Sequence, residues 1–405
     1  MNNRQVMEMD AKYVGRTFAR FPLAVARGEG ARLWDADGRA YLDFFSGLAV
    51  NSLGHCHPAV LEAMRAQAGR FAHCSNLYHC EAQAKLARLL CQESFAEKVY
   101  FANTGAEATE LCLKIARKHG AARGRFEVVA MENSFHGRTY GALSATGQPK
   151  YHKGFEPMLP GIRHVPFNDL EAVEAAVGPK TAAVLVEPIQ GEGGVRVADD
   201  AYLRGLRRLC DRRQILLIFD EIQTGLGRTG RLFYYQHLGK DCLPDLMPLA
   251  KSLGGGLPLS AVLARGRAAR VLGLGDHGTT MGGNPVACAA GLASLETLLL
   301  HDLPHKALLW GEVLQQGLLR IKKRAGLIRE VRGRGYMVGA ELAGPALPVA
   351  QEALRLGLMV NATAGNVLRL LPPLIAQGPE IEEALKILDA VFKNPKIQGQ
   401  LKKKK

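Results

Sequence analysis

The chain has 405 residues, 47% of them hydrophobic and 22% charged, with 45 glycines. That length exceeds what one small core organises, so two domains are expected, and the composition excludes a disordered or fibrous chain in favour of a soluble α/β protein. The formal net charge of +14 is spread along the chain rather than gathered with aromatics, which argues against a nucleic-acid surface and leaves a field favourable to small anions.

No apolar run is long enough to span a bilayer, so no membrane partner is expected. The first residues also lack the apolar core of a secretion signal, which leads us to expect a cytoplasmic protein. The cysteines are scattered without Cys-x-x-Cys pairs, which points to reduced thiols and away from a zinc or disulfide framework, so no metal site is expected. The run Lys402-Lys403-Lys404-Lys405 reads as a solvated, frayed end.

Residues 1–54 read as an extended arm with a small meander, in which Ala31 to Phe44 forms two short strands about an Asp37-Gly38 turn. From 55 to 288, apolar runs alternate with amphipathic helical patterns. Val99–Phe101 precedes a helix over 105–119, and Phe126–Ala130, Thr181–Val186 and Ile215–Phe219 follow as further strands. This alternation predicts a large domain with a mostly parallel central sheet flanked by helices. After Asn284-Pro285 a long helical stretch runs to about 325, then Tyr336–Leu342 reads as a strand and 379–393 as a helix. Residues 289–405 and the N-terminal arm are expected to form one small α+β domain drawn from both termini.

The chemistry-bearing residues cluster just beyond the apolar strands. Asn103-Thr104-Gly105-Ala106 opens a helix, where small residues and free N–H groups suit a phosphate, or simply cap and pack the helix. Phe135 is placed to stack on a flat ring or to join the core. Arg138 is a bidentate fork for a carboxylate or a surface charge. His136 reads as structural or supporting. Glu187 and Glu192 follow another strand, either as acids facing a cleft or as turn and loop residues. Asp220 ends the run Ile215–Phe219, and Gln223 stands three residues on. Lys251 lies between an apolar run and Gly254-Gly255-Gly256, a run read as flexible enough to present its amine. A buried acid and such a lysine are what pyridoxal phosphate chemistry requires: a carboxylate to keep the ring nitrogen protonated, and an amine to hold the cofactor aldehyde and shuttle a proton. Thr280, in a glycine-rich loop, has a hydroxyl able to bind phosphate; Thr279 is a weaker candidate. Arg369 sits in an apolar, strand-like run where its charge needs an anionic partner.

In this order the motifs resemble the class III pyridoxal-phosphate aminotransferases, of fold type I, over about residues 18 to 375. The likeness rests on Leu53-Gly-His-Cys-His-Pro58, the 103–108 turn, Phe135-His-Gly-Arg-Thr139, Glu187-Pro-Ile-Gln-Gly-Glu192, the Asp220–Gly230 segment, Lys251 and the 277–285 loop. The resemblance implies that Gly105 and Ala106 bind the phosphate, Phe135 stacks on the ring, Asp220 pairs with its nitrogen, Gln223 contacts its oxygen and Lys251 carries the Schiff base. It implies that Arg138 holds a distal carboxylate, Arg369 the α-carboxylate of glutamate, and that Glu192 offsets Arg369 while the donor is bound. It implies an amino donor, 2-oxoglutarate as acceptor, and a homodimer in which Thr280 reaches the neighbouring subunit's phosphate. Within the family, Ser75-Asn76-Leu77-Tyr78 looks like the branch whose donor is an N2-acetylated ornithine. The ornithine branch carries two tyrosines where this chain has Phe18 and Leu48. Departures from the common pattern are Thr109, where Asn is usual, and Met281, where Phe or Tyr is more common.

Overall fold

In the computed structural model, which describes residues 1–402, the chain divides into two units: Met1–Pro58 with Lys306–Lys405, and Ala59–His305. The first unit opens with the helix Asn3–Tyr13, where the sequence suggested an extended arm. Its signal was local: Asn2 and Gln5 form a capping box, with the Asn2 side chain accepting from the Gln5 N–H at 2.9 Å. Three antiparallel strands follow, β1 (Val25–Glu29), β2 (Arg32–Asp35) and β3 (Ala40–Asp43). The Asp37-Gly38 turn stands between β2 and β3, with Gly38 left-handed at φ 88°. Buried Asp35 fixes it by accepting from the N–H groups of Asp37 and Arg39.

The second unit holds a seven-stranded sheet. Its strands are β4 (Lys98–Ala102), β5 (Glu127–Met131), β6 (Ile162–Val165) and β7 (Thr181–Val186). After a short hairpin, β8 (Ile189–Gln190) and β9 (Arg196–Val197), come β10 (Leu216–Phe219), β11 (Leu246–Leu249) and β12 (Ser260–Ala264). The sheet order is β4-β12-β11-β10-β7-β5-β6. Only β12 runs antiparallel to its neighbours, so the other six share one direction and end along one edge. β5, β7, β10, β11 and β12 are buried at every residue, and β5, β7 and β10 accordingly read as continuous apolar runs and not as alternating ones. The helix Gly105–Gly120 lays Leu111, Cys112 and Ile115 against Val128, Leu185, Ile218 and Val262 in the unit's main core. Truncating a fully buried member such as Ile218 to Ala costs about 2–5 kcal/mol.

The helical stretch after Asn284 is two helices, Pro285–Leu300 and Leu303–Ala325, broken where Asp302 takes φ 47°. The first packs within the second unit, so close that a Cβ on Gly291 would meet the Leu253 carbonyl at 2.6 Å. The boundary expected at 288 therefore falls inside a helix, and the division comes at 305/306. In the first unit β13 (Ile328–Arg334), β14 (Met337–Leu342), β15 (Leu358–Met359), β16 (Asn361–Thr363) and β17 (Val367–Leu370) complete the strands. β15 pairs in parallel with β3, which joins the N-terminal meander to the C-terminal third. The helices Gly378–Lys393 and Pro395–Lys402 close the chain, while Lys403–Lys405 of the expected frayed end lie outside the described residues. Among the described residues no single helix is long and apolar enough to cross a membrane.

Candidate active site at the carboxyl edge of the sheet

Loops after β4, β5, β7, β10 and β11 carry the candidate residues. After β4, Thr104 caps the helix Gly105–Gly120: its hydroxyl accepts from the Glu107 N–H at 3.2 Å, while the Glu107 carboxylate accepts from the N–H groups of Asn103 and Thr104. The first-turn N–H groups of Gly105 and Ala106 are left over as donors for an anion at the positive end of the helix dipole. A Cβ on Gly105 would lie 3.1 Å from Ile222 and 3.5 Å from Ala250, so this turn packs directly against the segments that carry Asp220 and Lys251. A Cβ on Gly137 would meet Ala106 at 2.7 Å, which brings in the Phe135–Arg138 loop. Thr109, the departure from the common pattern, is fully buried in the same helix.

Asp220 directly follows β10 as a buried carboxylate. One oxygen lies 2.6 Å from His136 Nδ1 and the other accepts from the Ile222 N–H at 3.0 Å. His136 is thus given a definite task, which its position in the sequence did not disclose: it orients Asp220. Glu187 lies close by. Burial pushes its carboxyl well above the usual value, the Asp220 charge pushes it further, and the Phe135 and Gly191 N–H groups and Lys251 pull the other way. Glu187 is thus within electrostatic reach of both Asp220 and Lys251. Glu187 also accepts from the Phe135 N–H at 3.1 Å, which holds the stacking candidate in place. Glu221 is pushed up to about 7 by burial, against the N–H groups of Tyr234 and Tyr235 and the Thr224 hydroxyl that it accepts from.

Lys251 follows β11 with φ 50°, in the left-handed region, and opens a 3-10 turn, Lys251–Gly254. A non-glycine residue held there costs on the order of 1–3 kcal/mol and persists only where the surroundings impose it. The glycines after it are not the flexible run the sequence suggested. Gly254 is buried, Gly255 and Gly256 take φ 59° and 105°, and a Cβ on Gly255 would strike Val60 at 2.9 Å. Gly255 packs too tightly for a side chain, and Gly256 takes an angle that side chains rarely adopt, so glycine is needed at both.

The remaining candidates differ in setting. The Arg138 guanidinium lies 3.9 Å from the ring centre of Tyr151 and 5.5 Å from that of Phe135. Glu192 is half-buried in the β8–β9 hairpin, which packs on the loop after β5: a Cβ on Gly193 would meet the Asn133 carbonyl at 2.8 Å. Gln223 is half-buried just past Asp220. Thr280 is exposed, whereas the Thr279 hydroxyl is taken up inside the loop, accepting from Asn103 Nδ2 and the Gly282 N–H, both at 3.2 Å. Asn76, quoted only as part of a motif, clamps this loop by donating to the Thr279 and Gly282 carbonyls, each at 2.9 Å. Arg369 belongs to the first unit, fully buried in β17, and donates to the Asn361 side-chain oxygen at 2.8 Å.

The second unit's residues fit pyridoxal phosphate: helix-start N–H groups beside Gly137, where a Cβ would strike Ala106 at 2.7 Å, a buried carboxylate in contact with His136, and a lysine fixed in a strained turn. A family model for class-III aminotransferases matches residues 13–392, and the chain belongs to that family. Among curated relatives, the acetylornithine aminotransferase of Caldanaerobacter subterraneus subsp. tengcongensis is 48% identical over 95% of this chain and 98% of its own. That of Methanocaldococcus jannaschii is 44% identical over 97% and 99%. Among solved structures, the ornithine aminotransferase of Toxoplasma gondii ME49 superposes with a TM-score of 0.93 at 35% identity, covering 97% of this chain and 95% of that one. The acetylornithine aminotransferase of Elizabethkingia anophelis gives 0.86 at 31%, covering 97% and 99%.

Proposed function

We propose that the chain is a pyridoxal-phosphate-dependent acetylornithine aminotransferase. It transfers the terminal amine of N2-acetylornithine to 2-oxoglutarate, giving N-acetylglutamate 5-semialdehyde and glutamate, a step towards arginine. The observation that carries this reading is the 43–48% identity to acetylornithine aminotransferases over nearly the whole chain. We place the enzyme in the cytoplasm, as a homodimer.

Bound pyridoxal phosphate supplies an electron-withdrawing ring that stabilises the electron pair left when the donor carbon loses its proton. The protein does the rest. The Gly105 and Ala106 N–H groups and the helix dipole bind the phosphate. Phe135 stacks on the ring and Gln223 donates to its oxygen. Asp220, oriented by His136, holds a proton on the ring nitrogen. Lys251 provides the amine of attachment, then carries the proton from the donor carbon on its Nζ. Arg138 forks a substrate carboxylate, and Arg369 is assigned the α-carboxylate of glutamate.

An ornithine donor is the second reading, favoured by the overall likeness to the Toxoplasma enzyme. Phe18 and Leu48, where the ornithine branch carries tyrosines, weigh against it. A donor panel with 2-oxoglutarate as acceptor decides. Acetylornithine should rank first in kcat/KM; a higher rank for ornithine, succinylornithine, succinyldiaminopimelate or 4-aminobutyrate replaces the donor and leaves the chemistry standing.

A further inference from the structure

Tyr151 ends a one-turn 3-10 helix, Pro149–Tyr151, beyond the Phe135–Arg138 loop. Its ring touches two site residues at once. The Arg138 guanidinium lies over it at 3.9 Å, and Phe135 meets it edge-on, with ring centres 6.1 Å apart and planes at 85°. Among the described residues no carboxylate pairs with Arg138. We infer that Tyr151 is a positioning residue that sets the fork of Arg138 for a substrate carboxylate and so contributes to donor selection. This rests on Arg138 holding a carboxylate, as proposed above.

The physical argument concerns the faces and edges of a guanidinium. Its N–H donors lie in its plane, so a carboxylate approaches along an edge. An aromatic ring takes a face instead. Stacking on Tyr151 thus restrains the long Arg138 side chain while leaving its donors for the substrate. An acidic partner would have occupied those donors and cancelled the charge. The platform is itself held. His152, the next residue, has Nε2 at 2.9 Å from the Leu143 carbonyl and 2.8 Å from that of Thr146, and the Gln148 amide donates to the Ser134 carbonyl at 3.1 Å. A fork fixed before binding loses less conformational freedom when the carboxylate arrives.

The test is calorimetric binding of glutarate, a dicarboxylate with no carbonyl to react, to the holoenzyme. Tyr151→Leu should weaken it about tenfold, within what a lost cation–π contact and a freed side chain supply. Tyr151→Phe, which keeps the ring, should bind as wild type does. In kinetics, Tyr151→Leu should raise KM for acetylornithine with a smaller change in kcat. It should leave KM for cadaverine, a diamine without a carboxylate, unchanged. Equal losses for both donors, or undiminished glutarate binding in Tyr151→Leu, overturn the inference. Arg138→Leu separates it from its parent: if glutarate binding ignores that change, the carboxylate role of Arg138 falls and Tyr151 with it. If Arg138→Leu weakens binding and Tyr151→Leu does not, only the Tyr151 assignment falls.

Discussion

Lys251 carries a backbone strain that nothing in its sequence neighbourhood announces. Its replacement is therefore informative twice. Lys251→Ala should lower turnover by several orders of magnitude, since the attachment point and the proton carrier go together. Borohydride treatment of the wild-type holoenzyme should fix the pyridoxyl group on the peptide containing Lys251; a label on another lysine removes the assignment. Glu221 offers a test through pH. Its folded-state value of about 7 stands above the usual 4.5, so the folded chain binds this proton more tightly than the unfolded chain does. The resulting stabilisation is complete below about 4.5 and is lost as pH rises through about 7. Glu221→Gln removes the titration, so its thermal midpoint should decline less than that of wild type between about pH 5 and pH 8. Parallel declines would mean that Glu221 is ionised throughout.

The elements divide into those the sequence displays and those it conceals. β5, β7 and β10 were legible because strands buried on both faces are unbroken apolar runs, and an acid just beyond such a run, as at Asp220, stands out. β12 was not legible, because a short apolar segment carries no mark of its direction, and β6, as short as β10, is broken by Arg163 and His164. The N-terminal helix was hidden by a low apolar content, since none of its residues is buried. In the site, Lys251, Asp220 and the 103–106 turn could be read from their place after strands. His136 as the partner of Asp220, Tyr151 under Arg138 and Asn76 on the Thr279–Gly282 loop could not, because each contact joins segments distant in sequence. The Asn76 clamp is open to direct test. Its amide is itself oriented by Gln83, which donates to Asn76 Oδ1 at 2.9 Å. Asn76→Asp would face two carbonyls with a carboxylate, losing two hydrogen bonds of about 0.5–1.5 kcal/mol each. If Thr280 binds the phosphate, this variant should release pyridoxal phosphate about tenfold faster, by a loss of that size. Release at the wild-type rate would show that the loop keeps its shape without the clamp.

At the scale of the whole molecule, the proposed dimer makes a prediction that a self-sufficient monomer does not. With Thr280 acting on the neighbouring subunit, mixing Lys251→Ala and Thr280→Val chains gives a heterodimer with one doubly damaged site and one intact site. Activity at limiting cofactor should then exceed that of either parent. Activity at the parental average, once subunit exchange is verified, places the phosphate contact within one chain. Deeper than the dimer lies the claim that this protein moves an amine in two separable halves, holding it between donor and acceptor. The measurement that addresses it is the aldehyde released when holoenzyme meets acetylornithine without 2-oxoglutarate. About one equivalent of N-acetylglutamate 5-semialdehyde per subunit should appear, with further release only when 2-oxoglutarate is added, as a ping-pong enzyme requires. Sustained turnover without the acceptor, or no aldehyde at all, would contradict the account.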